Sequence, residues 1–152
     1  MTMVCSFFGH RNILCIERLE EQLTRIIEDL ILEGVEMFYV GEMGDFECFA
    51  GDILTELKRN KYPHIHRKLI VCYGSQFKQT PKVLCDTFDM PGEVDVCKRR
   101  GKIHRRNQWV VDHSDIIVCY IDANYGGAYE AYKRAKKKGK RIINLTKVWD
   151  EE

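Results

Sequence analysis

The 152 residues suffice for one domain with a buried core, and 45% of them are apolar and 31% charged, an ordinary soluble composition. The formal net charge is +1, so no global field draws the chain to nucleic acid. Seven cysteines without a CxxC pair argue against a zinc site or a disulfide framework and fit the reduced thiols of a cytoplasmic protein. No signal peptide and no apolar run of 18 residues is read, so neither export nor a membrane partner is expected.

The chain opens on an apolar strand, Met1 to Phe8, followed by the loop Gly9-His10-Arg11-Asn12. Ile16, Leu19, Leu23, Ile26, Ile27, Leu30 and Ile31 then recur at helical spacing, and Gly34 marks the stop. Glu36 to Val40 reads as a second strand that runs directly into Gly41-Glu42-Met43-Gly44-Asp45. Phe46, Phe49, Ile53, Leu54 and Leu57 line a second helix, which closes before Pro63. Lys68 to Tyr73 reads as a third strand. From Gly74 to Arg100 the pattern fails, and a long irregular loop is expected.

Helical spacing returns near Ile103, with Trp109, Val110 and His113 on one face. Ile116 to Ile121 is an apolar run of strand length, suited to burial on both sides. Gly126-Gly127 turns it into a last helix that ends at Gly139, with Tyr125, Tyr129, Tyr132 and Ala135 expected inward. Arg141 to Leu145 is a fifth strand, and Trp149 is expected to pack back on the core. Cys5, Cys72 and Cys119 fall in predicted strands as small hydrophobes. Strands alternating with helices predict an α/β fold: one Rossmann-like domain over 1–152, its sheet mainly parallel, in the strand order 3-2-1-4-5.

Such sheets bind ligands beyond the carboxyl ends of their strands, where the strand order reverses. Three glycine-bearing loops fall there, at Gly9, at Gly41 to Asp45 and at Gly126-Gly127. Gly9 allows close backbone approach, Arg11 can fork onto a phosphate, and His10 stands between them. Gly41 and Gly44 leave the second strand, and Asp45 reads as a helix N-cap or a ribose acceptor. Arg106 is expected to hold a phosphate and Asn107 a base or sugar. Gly126 and Gly127 precede free helix N–H groups, an anion site in outline. Asp115 reads as a turn acceptor, and Glu130, in the first turn of the last helix, is the candidate catalytic acid or base. No metal set is seen, His64 and His66 being the only close histidine pair, and no cofactor is expected.

These residues carry a family likeness. Cys5-Ser6-Phe7-Phe8-Gly9-His10-Arg11 resembles the opening strand and loop of YpsA-like proteins in the SLOG superfamily. Arg106-Asn107-Gln108-Trp109-Val110-Val111-Asp112-His113-Ser114-Asp115 resembles their RNxxMVDxSD segment. Gly41 to Ala50 resembles their GGAxGxDxxAA loop and helix, and Gly126-Gly127 the GGT that follows. The resemblance implies a Rossmann-like fold related to LOG phosphoribohydrolases and DprA proteins. It also implies a nucleotide or nucleotide-derived ligand, a sensing or sequestering role in bacterial conflict or signalling, and a homo-oligomer. The alternatives it leaves are an N-glycosidic enzyme of phosphoribohydrolase or deoxyribosyltransferase type and a DprA-like nucleic-acid binder. The chain departs from the pattern in lacking a double glycine after Gly41 and in having Ala128 in place of Thr. Aligned on Gly127, the glutamate of the LOG run PGGxGTxxE falls on Ala131, so Glu130 stands one residue early and should point elsewhere.

Overall fold

The computed structural model describes residues 2–9, 16–41, 44–74, 76 and 84–146. Strand β1 spans Val4–Gly9, helix α1 Ile16–Leu32, β2 Met37–Val40, α2 Asp45–Asn60 and β3 His66–Ile70. A short β4 at Thr87–Asp89 follows, then α3 at Gly92–Asp95 and a 3₁₀ turn at Arg99–Gly101. Helix α4 spans Lys102–Asp112, β5 Ile116–Tyr120, α5 Gly127–Lys137 and β6 Arg141–Asn144.

The six strands form one sheet in the order β4-β3-β2-β1-β5-β6, and every pairing is parallel. This is the expected 3-2-1-4-5 arrangement with one more strand on its edge. That strand, β4, comes from the stretch read as irregular. It has only three residues, too few to show a period of two, and it pairs Lys68 to Thr87 through Ile70 to Asp89. Strand β3 begins two residues before the predicted start. The polar His66 and Arg67 belong to it because Arg67 is buried and paired with Asp86, which lies beside it across the strand edge. Cys72 lies just past β3, whereas Cys5 and Cys119 are inside strands and buried.

Two apolar layers flank the sheet. One joins Leu19, Leu23, Ile27 and Leu30 of α1 and Phe46, Ile53 and Leu54 of α2 to Cys5, Phe38, Ile116 and Val118. The other joins Val110 and Val111 of α4 and Ala131 and Ala135 of α5 to Phe8, Ile117, Cys119 and Ile121. Strand β5 lies between β1 and β6 under both layers, and all five of its residues are buried. Its continuous apolar run follows from that position.

Helix α1 ends as the sequence indicates. Gly34, at φ +110°, lets the Val35 amide donate to Leu30 and its own amide donate to Ile31. The same pair of bonds closes α5 through Gly139 at φ +70°, where Lys140 donates to Ala135. At its other end α5 starts later than predicted, at Gly127, so Tyr125 is outside the helix and 72% exposed. Tyr129 and Tyr132 pack on the second layer as expected. Trp109 stacks on His113 at 4.1 Å between ring centres. Trp149, the remaining expected packing residue, lies outside the described residues.

Gly139→Ala should lower stability by about 1 kcal/mol, because an L side chain is strained at positive φ. Gly51→Ala, inside α2 with nothing within 4 Å of the added carbon, should raise stability by about 0.5–1 kcal/mol. Urea unfolding of the two variants should therefore shift in opposite directions.

Candidate functional site at the carboxyl edge of the sheet

Because every strand is parallel, the loops after β1, β2 and β5 leave the same edge of the sheet, and the order reverses between β1 and β5. Gly9 pairs with Tyr120 at that edge, and Gly41 follows Val40, the last residue of β2. Gly44 is the N-cap of α2 and Gly126 the N-cap of α5. Asp45 is therefore the first residue of α2, exposed, and the capping place expected for it belongs to Gly44. His10 and Arg11 lie outside the described residues.

Arg106 lies on the inward face of α4, one turn before Val110, and is 2% exposed. Its guanidinium is turned into the protein. Nε donates to the Ile70 carbonyl at 3.1 Å and Nη2 to the Val40 carbonyl at 3.4 Å. Nη1 donates to Glu47 Oε1 at 3.2 Å and to Asn107 Oδ1 at 3.0 Å. Val40 and Ile70 end β2 and β3, so one side chain ties two strand ends to the first turn of α2 and to α4. The pairing with Glu47 joins a 2% exposed side chain to a 9% exposed one.

Two glycines of the edge are small for packing reasons. A Cβ on Gly41 would collide with the Glu47 carboxylate and the Arg106 guanidinium, and one on Gly9 would collide with the Phe46 side chain. Gly126 is different, since nothing crowds it and its φ of +93° is what requires glycine. Gly127 has ordinary room, with the Asn107 amide 3.7 Å from an added Cβ. Asn144 holds the exit of β5 by accepting from the Ile121 amide at 3.1 Å and donating to its carbonyl at 3.2 Å.

A groove of about 250 Å³ runs between α4 and α5, lined by His104, Asn107 and Gln108 on one side and Gly127, Glu130 and Lys133 on the other. Glu130 is exposed and pairs with Lys133 at 3.5 Å, while Ala131 faces the core at 4% exposure. Asp112 fastens the two helices. It accepts from Arg134 Nε at 2.7 Å and Nη2 at 2.8 Å and pairs with Lys138 at 2.8 Å. The Arg134 hydrogen bonds, helped by Lys138, hold the Asp112 carboxyl well below the usual carboxylate range against the opposing effect of burial. At the opposite edge Asp115 accepts from the Val4 amide at 2.8 Å, and the Ser114 and Ser6 hydroxyls share a hydrogen bond at 2.9 Å.

The YpsA family model, described as the YspA SLOG family, matches residues 7–148. The chain belongs to this SLOG family. It is 26% identical over 140 residues to the UPF0398 protein BH1768 of Halalkalibacterium halodurans, covering 86% of this chain and 71% of that protein. It is 26% identical over 147 residues to YoqJ, an uncharacterized SPbeta prophage-derived protein of Bacillus subtilis, covering 79% of this chain and 81% of that one. Among solved structures, DNA processing protein A of Helicobacter pylori aligns with a TM-score of 0.62 at 13% identity, over 92% of this chain. The chain spans 63% of that protein, whose structure was described for its single-stranded DNA binding mode. At that identity the likeness concerns the fold. No described helix of the SLOG chain is long and apolar enough to cross a membrane. No group of three or more His, Cys, Asp or Glu side chains suited to a metal occurs among the described residues.

Two residues that organise the site were missed in the sequence, Glu47 and Asn144. Glu47 had a signal: Ala50, Gly51 and Leu54 follow it at helical spacing, so a charge stands on a buried face. Asn144, a polar end to an otherwise apolar strand, had a weaker one.

Arg106→Met or Glu47→Met alone should cost about 3–5 kcal/mol, since each leaves a buried charge without its partner. The double variant should cost less than the sum of the two, which urea unfolding in a double-mutant cycle would check. Asp112→Asn should behave differently with pH. A carboxyl whose folded pKa is depressed contributes its stability above the unfolded value of about 3.9 and loses it as pH falls toward the folded one. The gap between wild type and Asp112→Asn should therefore be full at pH 7 and close progressively below about pH 4.

Proposed function

We propose that this SLOG protein binds a small nucleotide or nucleotide-derived ligand at the carboxyl edge of the sheet, as a sensor or sequestering protein. The observation that carries this reading is the exit of three glycine-bearing loops on one edge at the β1/β5 reversal, the last of them opening α5 through Gly126 at positive φ. The exposed backbone at Gly126 and Gly127 and the positive end of α5 suit an anionic group. Gly9, Gly41, Gly44 and Asp45 border the ligand in this reading, and His10 and Arg11, which follow Gly9 in the sequence, serve the same ligand in it. Arg106 serves it from beneath, by fixing the strand ends.

Efficient LOG-type cleavage is not part of this reading. Glu130 points to solvent beside Lys133, and the inward place one residue later is an alanine. A carboxylate acts as acid or base only within hydrogen-bond reach of the atom it serves. The nucleic-acid reading draws support from the likeness to DNA processing protein A, but the basic stretch from Arg99 to Arg106 offers less charge than its sequence suggests. Arg106 is buried, and the Lys102 ammonium donates to the Val94 and Asp95 carbonyls.

Ligand released from the purified chain should be identified by mass spectrometry as a nucleotide or a derivative. Gly127→Val should weaken its binding at least tenfold in calorimetry while the circular dichroism spectrum is unchanged, because the added carbons enter the space beside Asn107. Nucleoside monophosphates incubated with the protein should remain intact. Rapid release of free base, lost in Glu130→Gln, would overturn the non-catalytic reading, and an affinity for single-stranded DNA that falls steeply with salt would favour the nucleic-acid one.

A further inference from the structure

Asn107 follows Arg106 on α4, and its side chain is anchored at one end. Its Oδ1 accepts from Arg106 Nη1 at 3.0 Å. A guanidinium has only donors, so the amide atom that faces it has to be the oxygen. The orientation of this amide thus follows from its partner's chemistry. The Nδ2 amino group is turned the other way, into the groove between α4 and α5, 3.7 Å from where a Cβ on Gly127 would lie. Among the described residues it has no hydrogen-bond acceptor, and it is open to solvent.

Several other polar groups of the groove are engaged. Gln108 Nε2 meets His104 Nε2 at 3.0 Å, Arg134 is forked onto Asp112, and Lys133 pairs with Glu130. The Asn107 amino group is an unspent donor whose direction is fixed from behind. Glu47 supplies the fixing, since it holds the same Nη1 that holds Asn107.

We propose that Arg106 is a positioning residue: held by Glu47, it locks the Asn107 amide so that its amino group faces the groove beside Gly127 and donates to a phosphate or carboxylate oxygen of the ligand. The identity of that ligand rests on the nucleotide reading above, whereas the locked geometry does not. The pairing selects for an acceptor, because an amino group has no lone pair to offer a donor.

Nuclear magnetic resonance of the labelled full-length chain tests the two parts separately. Without ligand, the side-chain amide protons of Asn107, assigned by their loss in Asn107→Asp, should show an Overhauser contact to the Gly127 α-protons. Absence of that contact overturns the inference whatever the protein binds. Arg106→Lys keeps the cation but lacks the fork, so the contact should vanish while backbone dispersion is retained; its survival in a folded variant overturns the role of Arg106. Should that variant fail to fold, the wild-type coupling across the hydrogen bond from Arg106 Nη1 to the Asn107 carbonyl decides, and its absence is fatal. Addition of inorganic phosphate or 5′-AMP should shift the Asn107 pair, and Asn107→Asp should weaken 5′-AMP about tenfold or more, by removing donors and adding a like charge. Binding of 5′-AMP that leaves the Asn107 pair unmoved overturns the donation. If no nucleotide or phosphate binds while the contact stands, the nucleotide reading fails and the positioning survives.

Discussion

The carboxyl edge of the sheet depends on one buried ion pair. Strand ends leave carbonyls unpaired, and a buried carbonyl without a partner is costly. Arg106 satisfies those of Val40 and Ile70 with a single planar group. That group brings a charge into the interior, which is tolerated only with a counter-charge, and Glu47 provides it from the first turn of α2. The helix position is coupled in turn to Gly41 and Gly9, the two places where a larger residue would push the carboxylate or Phe46 away. Strand ends, helix start and loop exits are one mechanical unit.

The segment from Arg106 to Asp115, which carries the family likeness, is in good part a set of fasteners. Arg106 ties the carboxyl edge, Asp112 ties α4 to α5, and Ser114 and Asp115 tie the start of β5 to β1. Each uses a short polar side chain or a fork to close a junction that apolar packing leaves open. A motif of polar residues at a strand edge invites a ligand-binding interpretation, yet most of its hydrogen bonds end on the protein itself. Asn107 is the member whose donor group is left over.

The fold was legible because its signals are periodic. Leu19, Leu23, Ile27 and Leu30 mark the inner face of α1, Gly34 and Gly139 mark helix ends, and the run in β5 marks a central strand. Strand β4 was not legible, because three half-exposed residues show no period and its pairing depends on Arg67 and Asp86. In the site, the loops at Gly9, Gly41 and Gly126 could be assigned to one edge from strand order alone. The reason for each glycine could not, since crowding by Phe46 or Glu47 is a tertiary fact whereas positive φ at Gly126 is a local one. Arg106 was expected to hold a phosphate, and its burial was not legible for the same reason: an arginine near strand ends reads alike whether it faces solvent or carbonyls.

Helix register decides where the first-turn carboxylate of α5 lies. On α5, Ala131 and Ala135 are four apart and both buried, so the inward stripe is set by their small side chains against the sheet. Glu130 precedes that stripe by one residue, about 100° around the axis, and its carboxylate meets Lys133 in solvent. Bringing it inward would require α5 to rotate by a similar angle, which would expose both alanines and break the fork between Arg134 and Asp112. The same packing that seats α5 on the sheet therefore leaves its first-turn carboxylate exposed beside Lys133, on the wall of the groove between α4 and α5. The Asn107 amino group lies 3.7 Å from where a Cβ on Gly127 would stand, and in the proposed reading that donor favours holding an anionic group.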